Sequence, residues 1–579
     1  TNAEDNGIYV ASSSSWQRAK DFDGRRDVTQ GTLVLVRTPV VAGALYEVVS
    51  PNPIVVGTSD IEFELRYGAN VRYDQTAAEI AASVTPLDYG YAPGNVRRYG
   101  ADPSGLTAST TAFSQAFSIG IPVLIPKGDY LVDGPLTIAQ GTSITCEEGV
   151  TVSVPTGGMT SNTAWLQLDN IDGFSIDGHN SVWQFTTKPT ADEQRIIWRF
   201  RGCTNLNLND VIARKAGGDG FYFGASTTTY CSGVGYNLTA DDCRRNGYSI
   251  ISAQNFTLDS CRALNINGTD PQCGIDIEPN DPTDRLVNVR LVNFYSENCT
   301  GEGITLFFAQ LDNTTEPISI VIDRHEDNGS TRGGRTARGD GLTGFVRWLS
   351  PVWRNNVQYA YISDEWGAGD ALVELFDPQV IDCNQAASAG ELAGAGIIAA
   401  YRASGSALTY DIGSVHVYRP NVRETLGTLP VVALYATNED DATAASDIRI
   451  IDPASLAWSG NATRFGDGVF MQDRQRVTRR DLTASSALTR TRYYSPETNE
   501  GAVATTNRDL TDWDINGTER AFEVRAAQTL RVRADQTNAA LRLLPDNVTN
   551  LASAEIGARL TVRRDTGGFW ITERIGTWA

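Results

Sequence analysis

Residues 220–224 read Gly-Phe-Tyr-Phe-Gly, 247–251 Gly-Tyr-Ser-Ile-Ile, 274–278 Gly-Ile-Asp-Ile-Glu and 303–307 Gly-Ile-Thr-Leu-Phe. Their leading glycines are spaced by 27, 27 and 29 residues. A period in this range marks a solenoid, in which each repeat is one coil stacked on the last. Within the segments Phe221, Tyr248, Ile275 and Ile304 form one apolar column, and Phe223, Ile250, Ile277 and Leu306 a second. That alternation is a strand with one buried face. Short strands recurring without an intervening helix predict an all-β chain built around a right-handed parallel β-helix. Stacked coils set outward side chains from successive repeats side by side, which builds a groove suited to a chain-like ligand.

The length of 579 residues exceeds one compact core, so several domains are expected. With 48 Lys and Arg against 69 Asp and Glu, the net charge is −21. Such a surface repels nucleic acid and anionic membranes, and acidic polysaccharide too unless basic residues gather locally. No long apolar span is present, so no membrane insertion is expected. All eight cysteines lie between positions 146 and 383. Cys243 and Cys299 each stand four residues before a strand glycine, as small interior residues do. The even count is compatible with disulfides, but the spacing favours reduced, buried thiols and folding in a cytoplasm. No Cys or His cluster has zinc spacing, and neither a metal nor a cofactor is expected.

Strand alternation in Leu33–Val36, Leu45–Val49 and Ile61–Tyr67 predicts a small β module over residues 1–70. Residues 71–97 read as a linker with a short helix, Thr76 to Val84, ended by Pro86. The β-helix is assigned to 98–465, a neck containing the basic run Arg474–Arg480 to 466–505, and a C-terminal β domain to 506–579. Phe113 and Phe117 give a short helix one apolar stripe that can cover the open end of the first coil. Coils continue through Ile171–Gly178 and Leu206–Asp210. Pro351, Pro378, Pro420 and Pro453 each follow a strand-like run and mark a second phase. Segments 310–345 and 384–412 read as inserted loops.

Three stretches carry family resemblances. Tyr99-Gly-Ala-Asp-Pro-Ser-Gly105, Ala112–Phe117, Pro122–Val132 and Gly134–Ile138 resemble the entry segment of the pectate-lyase-like β-helix superfamily. Asp5–Val10, Trp16–Gly24 and Gly31–Val36 resemble an adaptor module of tailed-phage tail proteins. Gly557–Val562, Gly568–Thr572 and Gly576–Trp578 resemble the C-terminal β domain of phage tail proteins. Together they imply a phage tailspike: a homotrimer on the virion tail whose partners are other tail proteins and a bacterial surface polysaccharide. The opening on Thr1, mid-module, suggests that a virion-attachment part has been removed.

Asp276 and Glu278 flank the inward Ile277, so both project from one strand. Two residues along a strand span about 6.6–6.8 Å. Inverting glycosidases hold two carboxyls about 6.5–9.5 Å apart, with room for a water. By register Ser249 and Thr305 flank Asp276, whereas Ile251 and Phe307 flank Glu278. Apolar neighbours raise a carboxyl pKa, so Glu278 is read as acid and Asp276 as base, both facing solvent. Glu302, just before Gly303, is a third candidate, and Asp219 holds the same place before Gly220. Tyr222 continues the Asp276 column and suits a sugar ring. Lys215, Arg244 and Arg245 lie on turns of the same coils and could neutralise an acidic sugar.

A lyase would need a base beside a uronate and a cation on its carboxylate. Of His179, His325 and His416, only His325 sits in a charged segment, Asp323-Arg-His-Glu-Asp327. The Gly-His-Gly motif of polygalacturonase-like members is absent, which argues against pectin hydrolysis. Three functions therefore stand: an endo-acting hydrolase of O-antigen or capsule, a lyase in the same groove, and a non-catalytic receptor-binding tail protein.

Overall fold

A computed structural model describes residues 28–35, 45–67, 73–159, 163–402, 409–423, 430–438, 445–456 and 521–579, apart from short gaps and with some isolated strands between. The adaptor-like segments Asp5–Val10 and Trp16–Gly24 lie mostly outside the described residues, as does the basic run Arg474–Arg480. The chain divides into two compact units, Thr1–Ala101 and Asp102–Ala579.

In the first unit, Leu33–Leu35, Leu45–Val48 and Phe63–Tyr67 pair antiparallel, over a core of Val28, Val48, Ile54 and Ile61. The expected linker is itself folded. Thr76 and Glu79 form a capping box on the helix Ala77–Ala81. Buried Glu79 receives Arg98 Nε at 2.7 Å and Tyr99 Oη at 2.8 Å. Burial alone would raise the Glu79 carboxyl, but Arg98, Thr76 and Tyr99 together bring it down to about 2.

The second unit holds a three-walled parallel β-helix, followed by C-terminal strands such as Arg559–Asp565 and Gly568–Ile575 that pair antiparallel over their own core. One wall is a 12-stranded sheet that includes Trp198–Arg201, Phe221–Gly224, Tyr248–Ile250, Ile275–Ile277, Glu302–Phe307, Arg332–Ala337 and Tyr361–Asp364. Each coil continues into a second wall, as in Ala253–Asp259 and Leu286–Val292, and a short third, as in Arg262–Leu264 and Tyr295–Glu297. The pairings place Phe221 on Tyr248 on Ile275 on Ile304, and Tyr222 on Ser249 on Asp276 on Thr305. Inside, the rings stack coil on coil, as Phe200 on Phe223 at 5.2 Å and Phe221 on Tyr248 at 5.1 Å. The helix Thr110–Ser118 buries Phe113 and Phe117 completely, and Phe113 meets Tyr130 and Trp183 edge-on.

The leading glycines have ordinary backbone angles; what requires glycine is close approach. A methyl on Gly220 would lie 2.8 Å from the Gly247 carbonyl oxygen, and one on Gly247 2.6 Å from that of Gly274. Gly274 meets Gly303 in the same way, and Gly303 meets Gly333.

Corners are turned by single residues in the left-handed region. Between the second and third walls these are Asn237, Ser260, Asn293, Arg324, Ser350, Asp377, Arg419 and Asp452. After the third wall they are Lys215, Asp242, Asn265, Asn298, Asn355 and Asp382, with Gly329 in one coil. Asn and Asp visit this region most readily among non-glycine residues, which accounts for their abundance. Pro351, Pro378, Pro420 and Pro453 each directly follow such a corner, so the second phase mark is the corner itself.

Segment 310–345 is not one inserted loop. It supplies the regular strands Ile318–Asp323, Glu326–Asn328 and Arg332–Ala337, leaving only the two connections 308–317 and 338–343. Within 384–412, Ala395–Arg402 is likewise a strand. The eight cysteines are unpaired and buried, as their spacing favoured. Burial pushes the Cys146, Cys231, Cys243, Cys261, Cys299 and Cys383 thiols up to about 12, so they stay protonated. Among the described residues no helix is long and apolar enough to cross a membrane.

His325 is not an exposed loop residue. It is fully buried, with Nε2 2.8 Å from Ser296 Oγ. The reason is alternation on the third wall: Glu326 and Asn328 face out while Asp327 faces in. Asp327 accepts from Ser296, Ser330 and Asn356, each at 2.6 Å. Burial nevertheless pushes the Asp327 carboxyl up to about 7 from 3.8, and pulls His325 down to about 3. A carboxyl raised on folding favours the native state while protonated and loses that advantage as pH rises. Between about pH 4 and pH 7 Asp327 therefore takes away roughly 4 kcal/mol of stability as pH rises, while His325, buried neutral, adds a similar amount over the same range, so the two nearly cancel. Unfolding of the wild type and of Asp327→Asn across that range checks it; the variant, left with the His325 contribution, should gain stability with rising pH more steeply than the wild type.

Candidate functional site

Each strand of the first wall presents three outward positions, counted from its leading glycine. The residue before the glycine gives the column Asp219, Asn246, Cys273, Glu302, Arg332. The second after it gives Tyr222, Ser249, Asp276, Thr305, Arg335, and the fourth gives Gly224, Ile251, Glu278, Phe307, Ala337. Ile275 and Ile277 are fully buried inside the coil, so Asp276 between them stands on the outer face. One edge of this floor carries the connections 186–195 and 265–274, which meet where Thr269 Oγ1 donates to Glu193 Oε1 at 3.2 Å. Lys188 ties the first of them down through Asp242, at 2.6 Å, and Asn267. The opposite edge carries 225–230, 278–285 and 308–317, joined by Arg285 over the Tyr230 ring and beside Glu316 at 3.7 Å. The floor is thus walled on both sides.

Asp276 does not face solvent. It is 1% exposed, because Arg245 and Asn246 of the preceding turn fold over it. Asn246 is fixed by accepting the Cys273 backbone N–H at 3.1 Å, which aims its Nδ2 at Asp276 Oδ2, 3.1 Å away, and at Ser249 Oγ, 3.2 Å away. Ser249 Oγ donates to Asp219 Oδ2 at 2.9 Å. Arg245 lies 3.4 Å from Asp219, 3.8 Å from Asp276 and 3.5 Å from Glu278. One guanidinium therefore serves three carboxyls.

The carboxyl expected to serve as base is the one this arrangement raises. Burial first, then repulsion from Glu278, pushes the Asp276 carboxyl well above the usual range, against the pull of Arg245. Burial also raises Asp219, though Arg245 and Ser249 oppose it. The Glu278 side chain is 37% exposed and reaches solvent. Asp276 is the group poised to hold a proton, and Glu278 the one open to solvent. The apolar neighbours Ile251 and Phe307 matter less than the depth at which Asp276 sits.

Glu302 does not join this cluster. It pairs with Arg332 at 3.1 Å and accepts from Cys273 Sγ at 3.3 Å. Phe307 is covered by Arg335, whose guanidinium lies 5.4 Å from the ring and 2.5 Å from Asp364. The Tyr222 ring lies over Gly224, where a methyl would meet its Cε1 at 2.8 Å. Thr305 Oγ1 and Asp219 Oδ1 are buried without a hydrogen-bond partner in the chain. Arg244 is pressed under Gly268, and Lys215 turns a corner. His179 is an exposed corner residue bonded to the Cys146 carbonyl at 2.8 Å, and His416 pairs with Asp447 at 3.1 Å on the second wall, so neither is on this floor. Asn246 was not anticipated; its signal is that it stands before Gly247 just as Asp219 and Glu302 stand before their glycines. Among the described residues no group of three or more His, Cys, Asp or Glu side chains is arranged to hold a metal ion.

No family profile matches this chain, and no curated protein matches it in sequence. Among solved structures it is similar to the catalytic unit of a GH87 α-1,3-glucanase from Streptomyces thermodiastaticus, with 13% identity, 73% of this chain and 74% of that one covered, and a TM-score of 0.44. It is similar to the pre-mature gene product 12 of bacteriophage phi29, with 13% identity, 74% of this chain and 55% of that one covered, and a TM-score of 0.48. It is similar to the A-module of a mannuronan C-5 epimerase from Azotobacter vinelandii, with 14% identity, 65% and 99% coverage, and a TM-score of 0.39.

Proposed function

We propose that this chain is the polysaccharide-depolymerising part of a tailed-phage tailspike, a homotrimer on the virion tail that cuts a bacterial O-antigen or capsule by endo-acting glycosidic hydrolysis. The observation that carries the reading is the set of three carboxyls, Asp219, Asp276 and Glu278, held around Arg245 on a walled floor. Asp276, kept protonated by burial, donates to the leaving glycosidic oxygen. Glu278, at the solvent side, takes a proton from the attacking water. Their backbones are about 6.6–6.8 Å apart and both carboxyls reach Arg245, so inversion at the anomeric carbon is the outcome proposed, to be read from the anomer first released. Ser249, whose one proton goes to Asp219, positions that carboxyl to accept from a sugar hydroxyl, and the Tyr222 ring supports a sugar face.

The lyase reading is disfavoured by the occupation of the cations. A uronate needs a free guanidinium, and Arg245, Arg332 and Arg335 are engaged by carboxylates of the chain itself, which leaves Arg244, whose Nη1 is buried without a hydrogen-bond partner, to offer one. The buried His325 is out of reach as a base. Incubation with a panel of defined surface polysaccharides separates the readings. New reducing ends without the ultraviolet absorbance of an unsaturated uronate are expected. Unsaturated ends would establish the lyase, and binding without any loss of polymer size would leave a receptor-binding protein.

A further inference from the structure

A general acid must touch the oxygen that it protonates, yet the Asp276 side chain is only 2% exposed. The two side chains of the preceding turn that lie over it are held very differently. Asn246 is itself fully buried, pinned by the Cys273 N–H at 3.1 Å and by its bonds to Asp276 and Ser249. Arg245 is 22% exposed, and each of its carboxyl contacts is long: 3.4 Å to Asp219, 3.8 Å to Asp276 and 3.5 Å to Glu278. The arginines of the next coils are gripped more closely, Arg332 at 3.1 Å from Glu302 and Arg335 at 2.5 Å from Asp364. The Arg245 backbone N–H donates to the Gly218 carbonyl at 3.1 Å, so the freedom to move belongs to its side chain. Glu278, 37% exposed, stands at the solvent end of that reach.

We propose that Arg245 is the movable cover of the acid: its guanidinium swings from over Asp276 outward along Glu278 when polysaccharide enters, and Asp276 reaches the glycosidic oxygen only in that open position. This rests on the hydrolase reading and deepens it by assigning the step that admits substrate. Asn246 stays in place and keeps the Asp276 carboxyl aimed. The contact with Glu278 persists through the swing, so the cation is never left without a counter-charge. The move also withdraws the positive charge that opposes protonation of Asp276, so the acid is uncovered with its proton in place.

Amidation of the full chain by a water-soluble carbodiimide and glycinamide reads the cover without any saccharide, because a carboxyl must open to solvent to be modified. The reaction is run at mildly acidic pH, where Asp276 holds its proton, and peptide mass spectrometry gives the occupancy of each carboxyl, with Glu278 as the exposed standard. Asp327, equally buried but inside the coil, is the closed standard. In the wild type Asp276 is expected to react more slowly than Glu278 and faster than Asp327. In Arg245→Ala its rate relative to Glu278 should rise about ten-fold or more. Wild-type Asp276 as inert as Asp327, or an unchanged rate in folded Arg245→Ala, overturns the proposal; the wild-type comparison decides it alone if the variant does not fold. The predicted labelling without shortening of any polysaccharide keeps the cover and removes the hydrolase reading. Cleavage by the wild type with an inert Asp276 does the reverse, so the two failures are told apart.

Discussion

Asp276→Asn is expected to lower depolymerisation by about 10²–10⁴-fold, the range associated with a positioned general acid, while leaving the fold and polysaccharide binding intact. The reasoning starts from burial. A carboxyl 1% exposed, 3.8 Å from an arginine that two other carboxyls share, gains little from being charged. Its replacement by an amide removes a repulsive charge and keeps an oxygen for Asn246 Nδ2 to bond, so thermal stability should hold or rise. Glu278→Gln is diagnostic in a different way. Glu278 is the second cause of the raised Asp276 carboxyl, so its neutralisation lowers that pKa. A general acid works only while protonated; the alkaline limb of the residual pH–rate profile should therefore move to lower pH. Reducing-end assays across pH measure both effects. Full activity in Asp276→Asn would remove Asp276 from the chemistry.

Gly274→Ala is expected to destabilise the β-helix by about 1–3 kcal/mol or more, a cost typical of overpacking a filled interior. The added methyl would drive into the Gly303 carbonyl oxygen of the next coil, with Ser296 Cβ at 3.2 Å and Ala263 Cβ at 3.3 Å behind it. None of these is the free end of a flexible side chain, so relief requires the coils to separate locally. Asp276, two residues along, would be displaced with the strand, and activity should fall with stability. Gly134→Ala is the matched control, since its methyl meets only Thr110 Cγ2 at 3.4 Å and its backbone angle is ordinary. Thermal unfolding of the two variants should differ clearly. Equal melting would mean that the glycine column is not held by close approach.

The repeat was legible because its constraint is local: one glycine, then two inward apolar residues, in every coil from 220 to 307. The short helices were legible for the same reason, Thr76 and Glu79 as a capping box and Phe113 with Phe117 as a stripe. The coil at 318–337 was hidden because its strands carry the marks of a loop. Gly333 and Gly334 leave room for the Trp353 and Trp348 rings, and Asp323-Arg-His-Glu-Asp327 mixes an outward charge, a corner and a buried network in five residues. The column of outward residues at the site could be written from register alone, and Asp276 does adjoin Ser249 and Thr305. Its depth could not. Burial of Asp276 depends on Arg245 and Asn246, about one coil away in sequence, leaning across the strand, and no pattern within residues 274–278 records that.

The left-handed corners separate what must be constant from what is free to vary. Because a single left-handed residue, most often Asn, Asp or Ser, turns the chain at each of these corners, the wall strands keep their register however many residues leave the floor and return to it. The excursions already range from Ile251-Ser252 to the ten residues 308–317 over neighbouring strands. Segments 186–195 or 278–285 can therefore be exchanged wholesale, remodelling the rim while Asp219, Arg245 and Asp276 stay in place; rim and floor are free to vary separately on one ribbon.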